Sequence, residues 1–202
     1  MWLIKSEEET NSEYGKSPKD RTVEELVKSS VVIIDKNSGP TSHQVSAWAR
    51  DIFNLKLAGH SGTLDPGVTG VLPVALDNAT KAMPVLTGLD KEYVGVMQLH
   101  KQVPEDVLRK TILDRFIGKI IQLPPKKSAV ARREREREII FFDILEIDGQ
   151  DVLFKVGCEA GTYIRKLCHD IGKALGVGAH MAELRRSKVG DFTEDQTHSL
   201  VE

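Results

Sequence analysis

Asp65 stands alone. In the stretch GHSGTLDPGVTGVLPVA, Gly59 to Ala75, it is the one carboxylate, and it is the single acid between Asp51 and Asp77. Asp-Pro-Gly is first of all a turn signature, because proline fixes φ and glycine relieves the backbone that follows. Several chemistries are poorly served here. A two-carboxylate glycosidase pair has no local partner. The glycines are not followed by Gly-Lys-Ser/Thr, as a phosphate-gripping loop requires. No Gly-x-Ser-x-Gly elbow offers a serine nucleophile. His60 is a candidate base, although a lone loop histidine is most often a hydrogen-bonded structural residue. What remains is a solitary aspartate among small residues, which needs a cation from elsewhere in the chain to hold it ionised and oriented. Arg165 is the candidate, since arginine meets a carboxylate at two points and does not lose its proton. Tyr93, in Lys91-Glu92-Tyr93, is either a packing residue of a strand or an aromatic surface for a flipped base.

The elements that must position these residues follow from periodicity. Val31 to Ile34 reads as a buried strand, followed by the turn Asp35 to Pro40. Thr41 and Gln44 form a capping-box pattern, and Val45, Trp48, Ala49 and Ile52 then share a helical face. After the Asp65 loop come an apolar strand and a helix near Ala79 to Thr87 that Pro84 must bend or shorten. Glu92 to Leu99 reads as a strand, and Glu105 to Phe116 as a helix with Val107, Leu108, Ile112 and Phe116 inward. Ile139–Ile147 and Val152–Cys158 flank Asp148-Gly149, a hairpin signal. Thr162 is placed to cap a helix whose inner face is Ile164, Leu167, Cys168, Ile171 and Leu175, with Gly176 ending it. Arg165 falls at the edge of that face. Strands and helices without strict alternation predict an α/β or α+β sheet with helices mainly on one side.

The chain has 202 residues with 40% hydrophobic and 29% charged side chains, enough for one sizeable core and typical of a globular domain. No apolar run is long enough for a membrane span, and the N-terminus lacks the pattern of a signal peptide, which places the chain inside the cell. Cys158 and Cys168 make neither a disulfide framework nor a zinc pattern, so no metal is expected. The formal net charge of −2 conceals an uneven distribution. Between Lys126 and Glu138 six basic residues (Lys126, Lys127, Arg132, Arg133, Arg135, Arg137) face three acidic ones, whereas residues 1–30 carry five basic and seven acidic. The basic segment runs into the predicted hairpin and is expected to project from a sheet edge as a loop suited to a polyanion.

Four segments carry a resemblance to a known family: DKNSGPTSH (Asp35 to His43), GHSGTLDPGVTGVLPVALDNATK (Gly59 to Lys81), DKEYVGVMQLH (Asp90 to His100) and EAGTYIRKLCHDIGKALGVGAHMAELRRSKVGDF (Glu159 to Phe192). Together they resemble the TruB family of pseudouridine synthases, most closely its dyskerin-like branch, the catalytic subunits of archaeal and eukaryotic H/ACA ribonucleoproteins. One departure is visible: Lys36-Asn37-Ser38-Gly39 stands where the family usually has Lys-Pro-x-Gly.

By that resemblance Asp65 is the catalytic aspartate, Arg165 its buried ionic partner, and Tyr93 the aromatic that stacks under the target uracil. Leu167 corresponds to an apolar residue lining the same pocket, His60 to a loop residue near the target nucleotide's backbone, and Lys36 and Gly39 to the segment that braces the catalytic loop. Arg132, Arg133 and Arg135 fall in a loop that clasps substrate RNA. The resemblance implies an α+β fold with a mixed, largely antiparallel central sheet and flanking helices, and isomerisation of uridine to pseudouridine in transfer RNA, in guide-selected ribosomal RNA, or both, without metal or cofactor. It also implies H/ACA guide RNA and small accessory proteins as partners, no membrane, and a location that is cytoplasmic in an archaeon and nucleolar in a eukaryote. The expected organisation is an N-terminal arm, 1–30, and a catalytic domain, 31–202. Relatives continue past Asp191–Gln196 with the rest of that domain and a small RNA-binding PUA domain, against which the arm packs, so residues 1–28 are expected to be untethered. A non-catalytic RNA-binding or assembly module is the alternative reading.

Overall fold

The structure, a computed structural model, describes residues 11, 13–124 and 133–200. In chain order its helices are α1 (Val23–Val27), α2 (Ser42–Ile52), α3 (Met83–Gly88), α4 (Glu105–Phe116) and α5 (Ile164–Ala174). The strands are β1 (Val31–Lys36), β2 (Ala58–His60), β3 (Thr69–Leu76), β4 (Lys91–Leu99), β5 (Gly118–Gln122), β6 (Arg135–Asp148), β7 (Asp151–Cys158), β8 (Ala179–Val189) and β9 (Phe192–Thr193). They form a single sheet in the order β1-β3-β8-β4-β7-β6-β5, with β2 added to β3 and β9 to β8. Every pairing of these strands is antiparallel except β3 with β8. The expected α+β class is therefore observed.

The one parallel junction, Thr69 opposite Arg185 and Gly70 opposite Arg186, joins the two halves of the sheet. Gly70 makes it possible. Its φ is +104°, and a Cβ there would lie 2.2 Å from the Arg186 carbonyl oxygen, a contact no other residue type tolerates.

Of three apolar clusters, a small one of Ile33, Val71 and Val189 lies on the joined strands and two larger ones carry the helices. In the larger, Tyr93, Met97, Ile139, Phe142, Phe154 and Val156 of the sheet meet Leu108 and Ile112 of α4 and Ile164, Leu167 and Ile171 of α5. The smaller packs Val45 and Ala49 of α2 on Ile34, Leu72, Val74 and Leu76. β4 alternates strictly, so that Tyr93, Gly95 and Met97 face the helices while Val94 and Val96 face the other way.

Local expectations fail where the buried stripe is narrower than the run of apolar residues. Trp48, Ile52 and Val107 are exposed, because the buried stripe of α2 is only as wide as Val45 and Ala49 and that of α4 as Leu108, Ile112 and Phe116. The single helix expected at Ala79 to Thr87 is a 3-10 turn, Asp77–Ala82, leading into α3, where Pro84 occupies the first turn, the position proline tolerates. The arm is joined to the body at its end: Val27 packs against the smaller cluster, and the Lys28 carbonyl accepts from the Asn78 N–H. Residues 1–10 lie outside the described residues. Among those described, no helix is long and apolar enough to cross a membrane.

Candidate functional site

Asp65 does begin a turn: its carbonyl accepts from the Val68 N–H at 2.9 Å. That turn is fastened on both sides. Upstream, the Ser42 hydroxyl accepts from the Leu64 N–H at 2.9 Å. Downstream, Lys36 Nζ donates to the carbonyls of Pro66 (3.0 Å) and Val68 (2.8 Å), and the Gly39 N–H donates to Pro66 as well. Lys36 is fully buried and has no carboxylate beside it. Its ammonium is neutralised by carbonyl dipoles alone, and burial, then the charge of Arg186, pulls its pKa below the usual lysine value.

The carboxylate so held pairs with the guanidinium of Arg165, Oδ2 against Nη2. The two expected partners thus come together across a hundred residues, Asp65 from the β2–β3 loop and Arg165 from the first turn of α5. The pair is not buried, however: each side chain is 52% exposed, because both stand at the mouth of a cleft. That cleft, of about 640 Å³, has Ser38, Asp65, Arg165, Glu183 and Arg185 among its polar lining residues and Val94, Val96, Leu153, Met181 and Leu184 among its apolar ones. Asp65 and Arg165 are within a volume able to take a small ligand.

Leu167 does not line this space. It is fully buried in the core, two residues past Arg165 and so on the opposite, inward side of α5; the leucines at the cleft are Leu153 of β7 and Leu184 of β8. Tyr93 lies beneath the loop, 8% exposed, in the same cluster as Leu64 and Val68 on either side of Asp65. Burial raises its phenol pKa. His60 is half-buried, its Nε2 2.8 Å from Nδ1 of His43, and burial followed by His43 and Arg186 lowers its pKa. Thr162 does not cap α5; its hydroxyl donates instead to the Glu159 carbonyl, and the helix begins after Tyr163 with no side-chain cap.

Arg186 is a buried cation, bonded to the loop that leads to Asp65, that periodicity alone did not reveal. It is 1% exposed, donates from Nε to the Val71 carbonyl at 2.7 Å and from both terminal nitrogens to the Gly62 carbonyl at 3.4 and 3.3 Å, and stands opposite Tyr93 in the β4–β8 register. Burial lowers its pKa, opposed by Tyr93. The adjacent pair Arg185-Arg186 held the signal, since in a strand one of two neighbours must face inward. Arg185 faces the cleft and meets Asp35 at two points, both 3.0 Å. Lys91 is a third buried cation, donating to the carbonyls of Thr87 and Leu89, its pKa lowered to about 8 chiefly by burial.

The basic segment is only partly a loop. Residues 125–132, including Arg132, lie outside the described residues. Arg133 is exposed, whereas Arg135 and Arg137 are half-buried residues of β6, paired with edge strand β5. Antiparallel pairing with β5 carries the strand four residues further than the apolar run Ile139 to Ile147. No group of histidine, cysteine or acidic residues suited to a metal occurs among the described residues. Cys158 and Cys168 are buried, and burial pushes both thiols up to about 12.

Three family profiles match: the TruB family pseudouridylate synthase N-terminal domain over residues 50–164, the tRNA pseudouridylate synthase B C-terminal domain over 165–202, and the DKCLD (NUC011) domain over 1–46. Among curated relatives, the protein named "Probable tRNA pseudouridine synthase B" from Methanopyrus kandleri is 56% identical over 198 residues, which are 98% of this chain and 58% of that protein. Its namesake from Thermococcus onnurineus is 55% identical over 205 residues, 99% of this chain and 61% of that protein. A chain in the crystal structure of a Cbf5–Nop10–Gar1 complex superposes with a TM-score of 0.89 at 53% identity, covering 96% of this chain and 59% of that one. A chain in the structure of an H/ACA RNP bound to a substrate RNA containing 2′-deoxyuridine gives 0.85 at 50% identity, covering 98% and 60%. The chain thus spans about three-fifths of the length of the relatives it matches.

Proposed function

The chain belongs to the TruB family of pseudouridine synthases, and from that premise we propose that it carries the catalytic site of an enzyme that isomerises uridine in RNA to pseudouridine. The observation that supports this reading is the pairing of the doubly fastened Asp65 with Arg165 at the mouth of a half-apolar cleft. A uridine inside a stack cannot reach Asp65; turned out, its base meets the wall of Val94, Val96 and Leu184, while its ribose stays toward the polar rim. Asp65 then acts as the nucleophile. The N1–C1′ bond breaks, the base turns, a C5–C1′ bond forms, and the proton released from C5 is balanced by one gained at N1. Nothing is oxidised or reduced and no atom is lost, so the reaction requires no co-substrate.

Arg165 pairs with the carboxylate and aims it; Tyr93, buried beneath the loop on the face of β4 opposite Val94 and Val96, supports that loop and is not in the wall the base meets; His60 stands by the backbone of the target nucleotide; Lys36 holds the loop. We assign residues 31–202 to the catalytic domain and 1–30 to an arm. The substrate class is transfer RNA, guide-selected ribosomal RNA, or both. By likeness to the chains in the two solved complexes, the partners are guide RNA and small accessory proteins, and by likeness to the archaeal relatives the location is the cytoplasm.

The test is product formation by the Asp65→Asn variant on a uridine-containing RNA, with and without guide RNA and accessory proteins. Pseudouridine should fall at least about 10³-fold, the scale of losing an activated nucleophile, with RNA affinity unchanged within about twofold, because asparagine conserves the shape of the rim. A clearly active Asn variant overturns the assignment.

A further inference from the structure

We propose that Gln122, on the edge strand β5, is a positioning residue for Arg165. The proposal rests on the catalytic reading of Asp65 and Arg165 and adds the element that fixes where the guanidinium stands.

Helix α5 starts without a side-chain cap; the carbonyl of Tyr163, its flanking residue, already accepts from the Leu167 N–H at 3.0 Å, whereas the Tyr163 N–H needs a partner from elsewhere. Gln122 supplies that partner and adds a second bond to the carbonyl. Its Oε1 accepts from the Tyr163 N–H at 3.0 Å, and its Nε2 donates to the Tyr163 carbonyl at 3.2 Å. This amide mimics a neighbouring strand, and at 1% exposed it is shielded from competing water. The same hairpin grips the preceding turn. The Glu159 N–H donates to the Glu138 carbonyl at 2.9 Å, and the Glu138 N–H to Glu159 Oε2 at 3.2 Å. The Arg137 guanidinium lies over Gly161, whose φ of +81° and lack of a Cβ admit it at 3.2 Å from where that Cβ would be.

These contacts matter because of what else holds α5. Its inward side chains, Ile164, Leu167, Cys168 and Ile171, are buried, and apolar burial resists exposure of the face yet is non-directional. Directional bonds at Tyr163 set the start of the axis, and Arg165 is two residues further on. No bond links Gln122 to Asp65 or to the cleft, so its influence passes through the helix start. A displacement of about 1 Å at a reacting group costs up to about 10²-fold in rate.

Gln122→Met keeps length and volume but removes both bonds; Gln122→Glu keeps an acceptor for the Tyr163 N–H and loses the donor. Each is compared with the unsubstituted chain by the ¹⁵N–¹H signal of Arg165 Nε, by single-turnover pseudouridine formation and by RNA affinity. The expected result is a shifted or broadened Arg165 signal and a rate lowered at least tenfold for Met, with a smaller loss for Glu and affinity within twofold for both. If the Met variant does not fold, the Glu variant decides by the same readouts. A folded variant with the Arg165 signal unmoved overturns the proposal, whatever its rate, since the effect would not pass through Arg165. Should the unsubstituted chain make no pseudouridine, the catalytic reading fails separately, and the Arg165 signal still reports on Gln122.

Discussion

Among the described residues every buried charge is positive: Lys36, Lys91 and Arg186. None has a carboxylate among its hydrogen-bond partners; all donate to backbone carbonyls, and two of the three hold the loop that carries Asp65. The cation paired with the Asp65 carboxylate itself, Arg165, is by contrast left half-exposed. Arg165→Ala should therefore destroy activity with little cost in stability, about 1 kcal/mol or less as for other exposed pairs, measured by urea unfolding; a loss of several kcal/mol would show that the pair is part of the core. Lys91 gives a second prediction. Its pKa is lowered to about 8 in the fold against about 10.4 in an unfolded chain. Folding thus favours the neutral amine, so its contribution is complete above the unfolded value and lost as pH falls toward 8. Stability should rise between pH 8 and 10.5 by about 3 kcal/mol from this group, and Lys91→Met should flatten that rise. An unchanged slope would mean the ammonium is not constrained as the geometry requires.

At the scale of elements, what was legible in the sequence obeyed local rules. Thr41 and Gln44 form both bonds of a capping box; Glu105–Phe116 is a helix with the expected limits; and β6 and β7 turn at Gly149, whose φ is +60°. Asp65 and Arg165 were legible as a pair because their chemistry requires a partner. What could not be read was set by distant pairing. That Leu184 faces the cleft while Leu167 turns into the core depends on β8 joining β4 after α5 has crossed the sheet. The burial of Arg186 depends on the parallel junction with β3. No periodicity within one segment encodes either fact. That junction supplies an element-scale prediction. Gly70→Ala places a methyl group against the Arg186 backbone at positive φ, where strain and overpacking together cost about 3 kcal/mol or more. Its urea midpoint should fall by that amount at constant slope; a near-neutral Ala variant would mean that β3 and β8 do not meet as closely as described.

At the scale of the whole molecule, a net charge of −2 coexists with a concentrated positive segment, and the fold places the described part of that segment, residues 133–137, beside the edge strand β5. A polyanion is met there locally, so affinity for RNA should weaken with salt in proportion to the phosphates neutralised, by about 0.7 in the logarithmic slope for each phosphate of a single strand. Glutamine at Arg132, Arg133 and Arg135 together removes three charges, but they are not equivalent. Arg133 is exposed, whereas Arg135 is half-buried on β6 with its Nε enclosed and without a hydrogen-bond partner, poorly placed to follow a flexible backbone. The triple variant should therefore make the salt slope shallower by about 1.4, the share of two phosphates, and Arg135→Gln alone should leave it nearly unchanged. Binding isotherms of the same RNA across a series of potassium chloride concentrations give both slopes. An unaltered slope in the triple variant would move the RNA path off this edge, and a slope made shallower by about 0.7 through Arg135→Gln alone would mean that β6 turns that side chain outward when RNA binds.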